Sequence, residues 1–135
     1  MTYDVVALVR QAPDMRVLAD AMVRAGRRLR VRGAGEGAVI QLCDDDGRAL
    51  LSIEAAQRVD VPSEVERLLG SDTARRMPHP CWWVEARATH PRDGDEDTAA
   101  LAHRFATGLV DRLGGTVWPT RPREDGPSGR EDRPR

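Results

Sequence analysis

Cys81 with His79 or His103 is the pairing in this chain that could set a nucleophile beside a base. Nothing in the spacing of these residues fixes the hydrogen-bond geometry such chemistry needs, and a buried structural thiol is the plainer reading. Cys81 with His79 and His90 also invites a metal reading. Its spacing matches no standard zinc motif, a fourth ligand has no obvious source, and Pro78 and Pro80 stiffen the chain there. Asp44-Asp45-Asp46 and Asp93-Gly94-Asp95-Glu96-Asp97 look like calcium loops. Neither carries the glycine at the sixth position or the glutamate at the twelfth, so turn formation and helix capping account for both. Gly33-Ala34-Gly35-Glu36-Gly37-Ala38 fits the loosest dinucleotide fingerprint. The strand-like Val39-Ile40-Gln41-Leu42 comes next, where a phosphate site needs a helix N-terminus. No catalytic residue, cofactor or metal is therefore expected.

Binding chemistry is better represented. Arg24, Arg27, Arg28, Arg30 and Arg32 form the densest basic cluster. With Trp83 it would suit single-stranded nucleic acid, where bases stack on aromatics. Aromatic content is only 4% and the acidic loops offset the cluster, so nucleic acid is disfavoured against an acidic protein partner or a solvated strand. Trp83 falls beside Glu85 and Arg87 on the polar side of an alternating strand. An indole among arginines is the usual make-up of an interface anchor. The competing reading is that a helix, or the loop over residues 71–80, covers it. The candidate interaction surface is Trp83, Glu85 and Arg87, joined by Arg28, Arg30 and Arg32 if the two strands share a face.

These residues are carried by two segments written to one plan. Val5-Val6-Ala7-Leu8-Val9 is an apolar run of strand length. Pro13-Asp14 then opens a helix whose Met15, Leu18, Met22 and Ala25 share one face, and Gly26 stops it. In residues 28–32, Arg28, Arg30 and Arg32 alternate with Leu29 and Val31, which predicts a strand with one basic face. Asp46-Gly47 between two apolar runs predicts a hairpin over residues 38–55. Ser63-Glu64-Val65-Glu66 reads as a capping box, with Ser63 as N-cap of a short helix ending at Gly70. Residues 71–80 read as a loop. Along residues 81–88, Trp82, Val84, Ala86 and Ala88 alternate with Trp83, Glu85 and Arg87. A last helix buries Leu101, Ala102, Phe105, Leu109 and Leu113. Gly108 beside that stripe would allow close approach to the sheet, Gly114-Gly115 stops the helix, and Thr116-Val117-Trp118 is a final strand.

The order β-α-β-β-β-α-β-α-β implies a single α+β domain over residues 1–119. The expected architecture is two-layered and mostly antiparallel, with two main helices on one face, as a ferredoxin-like elaboration with a central hairpin. A Pro/Gly/Arg-rich charged tail over residues 120–135 has no apolar anchor and is expected to be disordered.

Length and composition set outer bounds. A chain of 135 residues, 40% hydrophobic and 32% charged, is sized for one domain with a real core. The formal net charge is -1, so no global field draws nucleic acid. All 21 basic residues are arginine, which reads as the coding bias of a GC-rich genome. It leaves a surface of planar forks suited to carboxylates and aromatic faces. No membrane-spanning run and no signal-peptide layout is present, which points to the cytoplasm, where Cys43 and Cys81 stay reduced.

The strings Gly35-Glu36-Gly37-Ala38-Val39-Ile40-Gln41-Leu42, Glu64-Val65-Glu66-Arg67-Leu68-Leu69-Gly70, Trp82-Trp83-Val84-Glu85-Ala86-Arg87-Ala88 and Gly114-Gly115-Thr116-Val117-Trp118-Pro119 resemble the N-terminal domain of an uncharacterised actinobacterial family. Its members are encoded near type VII (ESX-like) secretion genes and usually continue into a second domain. The resemblance supplies no catalytic residues and implies an accessory role linked to secretion. The leading expectation is a non-enzymatic protein-interaction or chaperone-like module with a protein partner and no membrane insertion. Homodimerisation is left open. The alternatives are a small-molecule-binding regulatory domain and, last, a small Cys/His-dependent enzyme.

Overall fold

From Val5 onward the first strand, β1 (Thr2–Val9), is buried on both sides. Val5, Ala7 and Val9 join one apolar cluster and Val6 and Leu8 another, so this strand divides the molecule into two unequal halves. The computed structural model describes residues 2–34, 39–91 and 97–120. Residues 35–37 of the glycine-rich turn, nearly all of the second acidic loop and the charged tail beyond Thr120 lie outside the described residues, while Gly33 and Ala34, expected in that turn, are in a strand.

After β1 come α1 (Met15–Ala25), β2 (Arg30–Ala34), β3 (Val39–Cys43), β4 (Ala49–Glu54), the two-residue β5 (Gln57–Arg58), α2 (Pro62–Leu69), α3 (Ser71–Arg76), β6 (Trp82–Thr89), α4 (Thr98–Leu113) and β7 (Gly115–Trp118). The strands form one antiparallel sheet in the order β2-β3-β4-β6-β1-β7, with β5 pairing β6 beyond the end of β4. The α+β class expected of the sequence is the one observed. β6, α4 and β7 make a split unit with β1 inserted between the two strands.

The larger cluster lies between the sheet and two helices. Leu18, Ala21, Met22 and Ala25 of α1 meet Leu101, Ala102, Phe105, Ala106, Leu109 and Leu113 of α4 over Val5, Ala7, Val9, Leu42, Leu51, Ile53, Val84 and Ala86. Asp14 caps α1 by accepting from the Val17 amide at 2.9 Å, and Asp97 caps α4 by accepting from the Ala100 amide at 3.1 Å. The smaller cluster is on the opposite face. There Val65 of α2 and Met77, just after α3, cover Val6, Leu8 and Cys81, with Trp83 and Trp118 packed at the margin. The short helices thus form a partial third layer over the β1–β7 end. Among the described residues, no helix is long and apolar enough to cross a membrane.

Four local expectations are corrected. Residues 71–76 are helical: Gly70, at φ +99°, turns the chain out of α2, and the Ala74 amide donates to its carbonyl at 3.2 Å. So short a helix has no repeating apolar stripe to announce it. Ser63 is not an N-cap. Pro62 takes the first helical position, where its fixed φ and missing N–H cost nothing, and Val61 becomes the cap residue. Arg28 is outside β2, because the Leu29 amide donates to the Gly26 carbonyl at 3.0 Å and closes a turn there. Gly108 is exposed and faces the groove between α1 and α4 rather than the sheet.

Candidate functional site

Among the described residues, the α2–α3 pair leaves the rest of its sheet face open. Register alone carries a polar row across five strands of that open half. Arg32 pairs with Gln41, Gln41 with Ser52, Ser52 with Arg87, and Arg87 with Asp4. Side chains cross-link most of it. Arg32 donates to Gln41 Oε1 at 2.9 Å and to the Gly47 carbonyl at 3.2 Å. Gln41 donates to Ser52 Oγ at 3.4 Å, and Arg87 Nε donates to Asp4 Oδ1 at 3.2 Å. One strand spacing is ~4.8 Å, so Arg32 stands roughly 14 Å from Arg87 along this row. Arg30 shares the face of Arg32, two residues away on β2. Arg28, in its turn, does not join the row.

Trp83 and Glu85 extend the site toward the covered half. The Trp83 indole N–H donates to Glu85 Oε1 at 3.2 Å, and Glu85 Oε2 accepts from Arg87 at 3.4 Å. The three residues read from sequence as an interaction surface therefore form one connected chain ending on Asp4. Trp83 is neither fully covered nor free: one side packs on the Val6–Leu8–Val65 cluster, and the residue also lines the open face. The Arg87 guanidinium is held above the usual arginine range, first by its hydrogen bond and charge contact with Asp4, then by Glu85 and Glu54.

Beside Trp83 the sheet is interrupted. Ile53 pairs with Ala86 and Gln57 with Trp83, so four steps along one side face three along β6. The extra residue buckles the chain between β4 and β5, as a bulge does. A depression of about 270 Å³ lies there, lined by Ser52, Glu54, Gln57, Trp83, Glu85 and Arg87. Periodicity placed Trp83, Glu85 and Arg87 on one face. It gave no sign of Glu54, Ser52 or Asp4, whose membership depends on strand order and on the bulge.

The other candidates separate. Cys81 is completely buried in the smaller cluster, and burial pushes its thiol up to about 11, which suppresses the thiolate. His103 is on α4, across the sheet from that cluster, where its Nε2 is 3.0 Å from the Tyr3 hydroxyl. Both cysteines are free thiols. Among the described residues, no group of three or more His, Cys, Asp or Glu is gathered as a metal site. Asp44 instead ties its own turn, its side chain accepting from the Asp46 and Arg48 amides, both at 3.0 Å. An open groove of about 930 Å³ runs between α1 and α4 and is bridged by the Asp20–Arg112 ion pair at 2.9 Å.

Burial of His103 lowers its pKa from 6.5 by penalising the charged ring. In acid the unfolded chain therefore takes up this proton before the folded one does. The contribution to stability is complete above 6.5 and is lost as pH falls through and below that value. Urea midpoints measured from about pH 7 down to about pH 5.5 should fall in the wild type and fall less in His103→Gln. Parallel curves would remove His103 as the source.

The chain matches no known protein family, no curated protein and no solved structure.

Proposed function

We propose that this domain is a non-enzymatic docking module that receives a protein partner on the open half of its sheet, with Trp83, Glu85 and Arg87 at the centre. The observation that carries the reading is the hydrogen-bonded chain Trp83–Glu85–Arg87–Asp4 at the border between covered and open sheet. Side chains already held in one geometry lose less freedom on binding. A tryptophan with one side packed and one side accessible is the type of residue that dominates interface energies. Arg30 and Arg32 at the β2 edge offer planar forks to acidic groups of the same partner. An accessory or chaperone-like role at a type VII secretion locus is the setting that the sequence resemblance favours.

The burial of Cys81 weighs against thiol chemistry. On the open sheet face, volume weighs against a small molecule: the depression of about 270 Å³ falls below the ~300–1,000 Å³ usual for such ligands, a range that the groove between α1 and α4 does reach.

The test is affinity capture from extract of the source cells, with the captured partner then purified and its affinity measured. Trp83→Ala should bind at least about thirtyfold more weakly, as expected of an interface anchor. Arg24→Glu, in the groove on the far side of the molecule, should bind like wild type. Equal binding by all three proteins would remove the open sheet face from consideration.

A further inference from the structure

We propose that the depression beside Trp83 is a subsite for a guanidinium group, filled by one arginine side chain of the docked partner; this rests on the docking function proposed for the open sheet face. The first ground is charge. Asp4, Glu54 and Glu85 all act on the single guanidinium of Arg87. Of these, Glu54 and Glu85 line the depression itself, so two carboxylates meet one guanidinium there and a third, Asp4, holds that guanidinium from outside, although the molecule as a whole carries only -1. Asp4 and Glu85 both hold Arg87, whereas Glu54 makes no hydrogen bond or ion pair among the described residues.

The second ground is strand geometry. Glu54 follows Ile53, where the β4–β6 ladder ends at Ala86, and it lines the depression together with Glu85. Like charges that share one depression repel, and an incoming cation relieves that repulsion. The third ground is shape. The buckle between β4 and β5 makes the site concave, and Trp83 forms its wall. The indole is anchored through its N–H to Glu85, and it lines the depression together with the Glu54 carboxylate. An indole next to a carboxylate suits a planar guanidinium, which stacks on one and forks onto the other. The volume of about 270 Å³ suits one long side chain.

The probe is a capped glycine–arginine–glycine tripeptide, compared with its citrulline counterpart, which keeps the shape and removes the charge. Nitrogen–proton NMR follows the indole signals of the folded protein, with Trp83 assigned by Trp83→Phe. The arginine peptide should shift the Trp83 indole signal saturably and the citrulline peptide should not. Glu54→Gln should weaken the arginine response about fivefold, the scale of one partly screened ion pair. Because Glu54 is exposed, an unchanged spectrum elsewhere will show that the variant remains folded.

Equal responses to both peptides, no saturable shift, or an unaltered affinity in Glu54→Gln would each overturn the subsite. If Glu54→Gln also binds the captured partner normally while Trp83→Ala does not, the docking face stands and the guanidinium subsite falls.

Discussion

Gly115→Ala should destabilise the domain by about 3 kcal/mol, the combined scale of backbone strain and core overpacking. Gly115 is at φ +144°, a conformation that favours glycine. It also opens β7 directly against β1, paired with Val9. A Cβ there would be driven into the Leu8 carbonyl oxygen, lying 2.9 Å from the Leu8 carbonyl carbon and 3.0 Å from Val9 Cα. Those atoms are backbone in a central strand and have nowhere to move. Relief requires β7 to withdraw, which lifts Val117 from the larger cluster and Trp118 from the smaller one. Gly70→Ala is the comparison: Gly70 is at φ +99° with open space around it, so it tests strain without collision. Urea unfolding should rank the two clearly, with Gly115→Ala the worse. Equal losses would mean that the β1–β7 approach is not the constraint.

That close approach was invisible in the sequence, where Gly114-Gly115 reads only as a helix stop. Gly114 does act as one, as the C-cap of α4 at φ +80°. The second glycine serves a contact made more than a hundred residues away in sequence, and one-dimensional patterns do not encode such contacts. What could be read was periodic: the α1 and α4 stripes, the alternation along β6 and the hairpin at Gly47. What could not be read was short or relational. α3 is too brief for a period, and Pro62 displaced the expected cap by satisfying a stronger local rule.

The candidate site divides in the same way. Alternation set Trp83, Glu85 and Arg87 on a common face because a strand has period two. Joining them to Asp4, Ser52 and Glu54 required knowing that β6 lies between β1 and β4. The arginine strip belongs to the site only in part. Arg30 and Arg32 belong to the face, but the turn at Gly26–Leu29 takes Arg28 away from it. A repeating residue type mimicked a strand that had not yet begun. The resulting face is basic toward β2 and acidic around Arg87, a two-signed pattern that the chain's near-zero net charge conceals. Such a pattern selects orientation more than strength, since misaligned partners bring like charges together.

Phe105→Ala should cost about 3–5 kcal/mol, against a total of roughly 5–15 kcal/mol for a domain of this size. Phe105 is the chain's one phenylalanine, and its side chain is completely buried between α4 and the sheet. Many of the residues in its cluster are smaller, including several alanines that cannot spread into the space it would leave. Val23→Ala, on the exposed side of α1, should change stability by less than about 0.5 kcal/mol and serves as the control. A loss below about 2 kcal/mol for Phe105→Ala would mean that the helices close over the gap and that this ring is not the wedge holding them. The effect should also reach the docking face, because β1 and β6 carry both clusters: Val5, Ala7 and Val84 on one side, Leu8 and Trp83 on the other. Phe105→Leu keeps most of the volume, so it should lose less stability and retain partner binding at temperatures where it stays folded. Loss of binding in folded Phe105→Leu would show that the Trp83 chain depends on the far side of the sheet more tightly than two separately packed clusters allow.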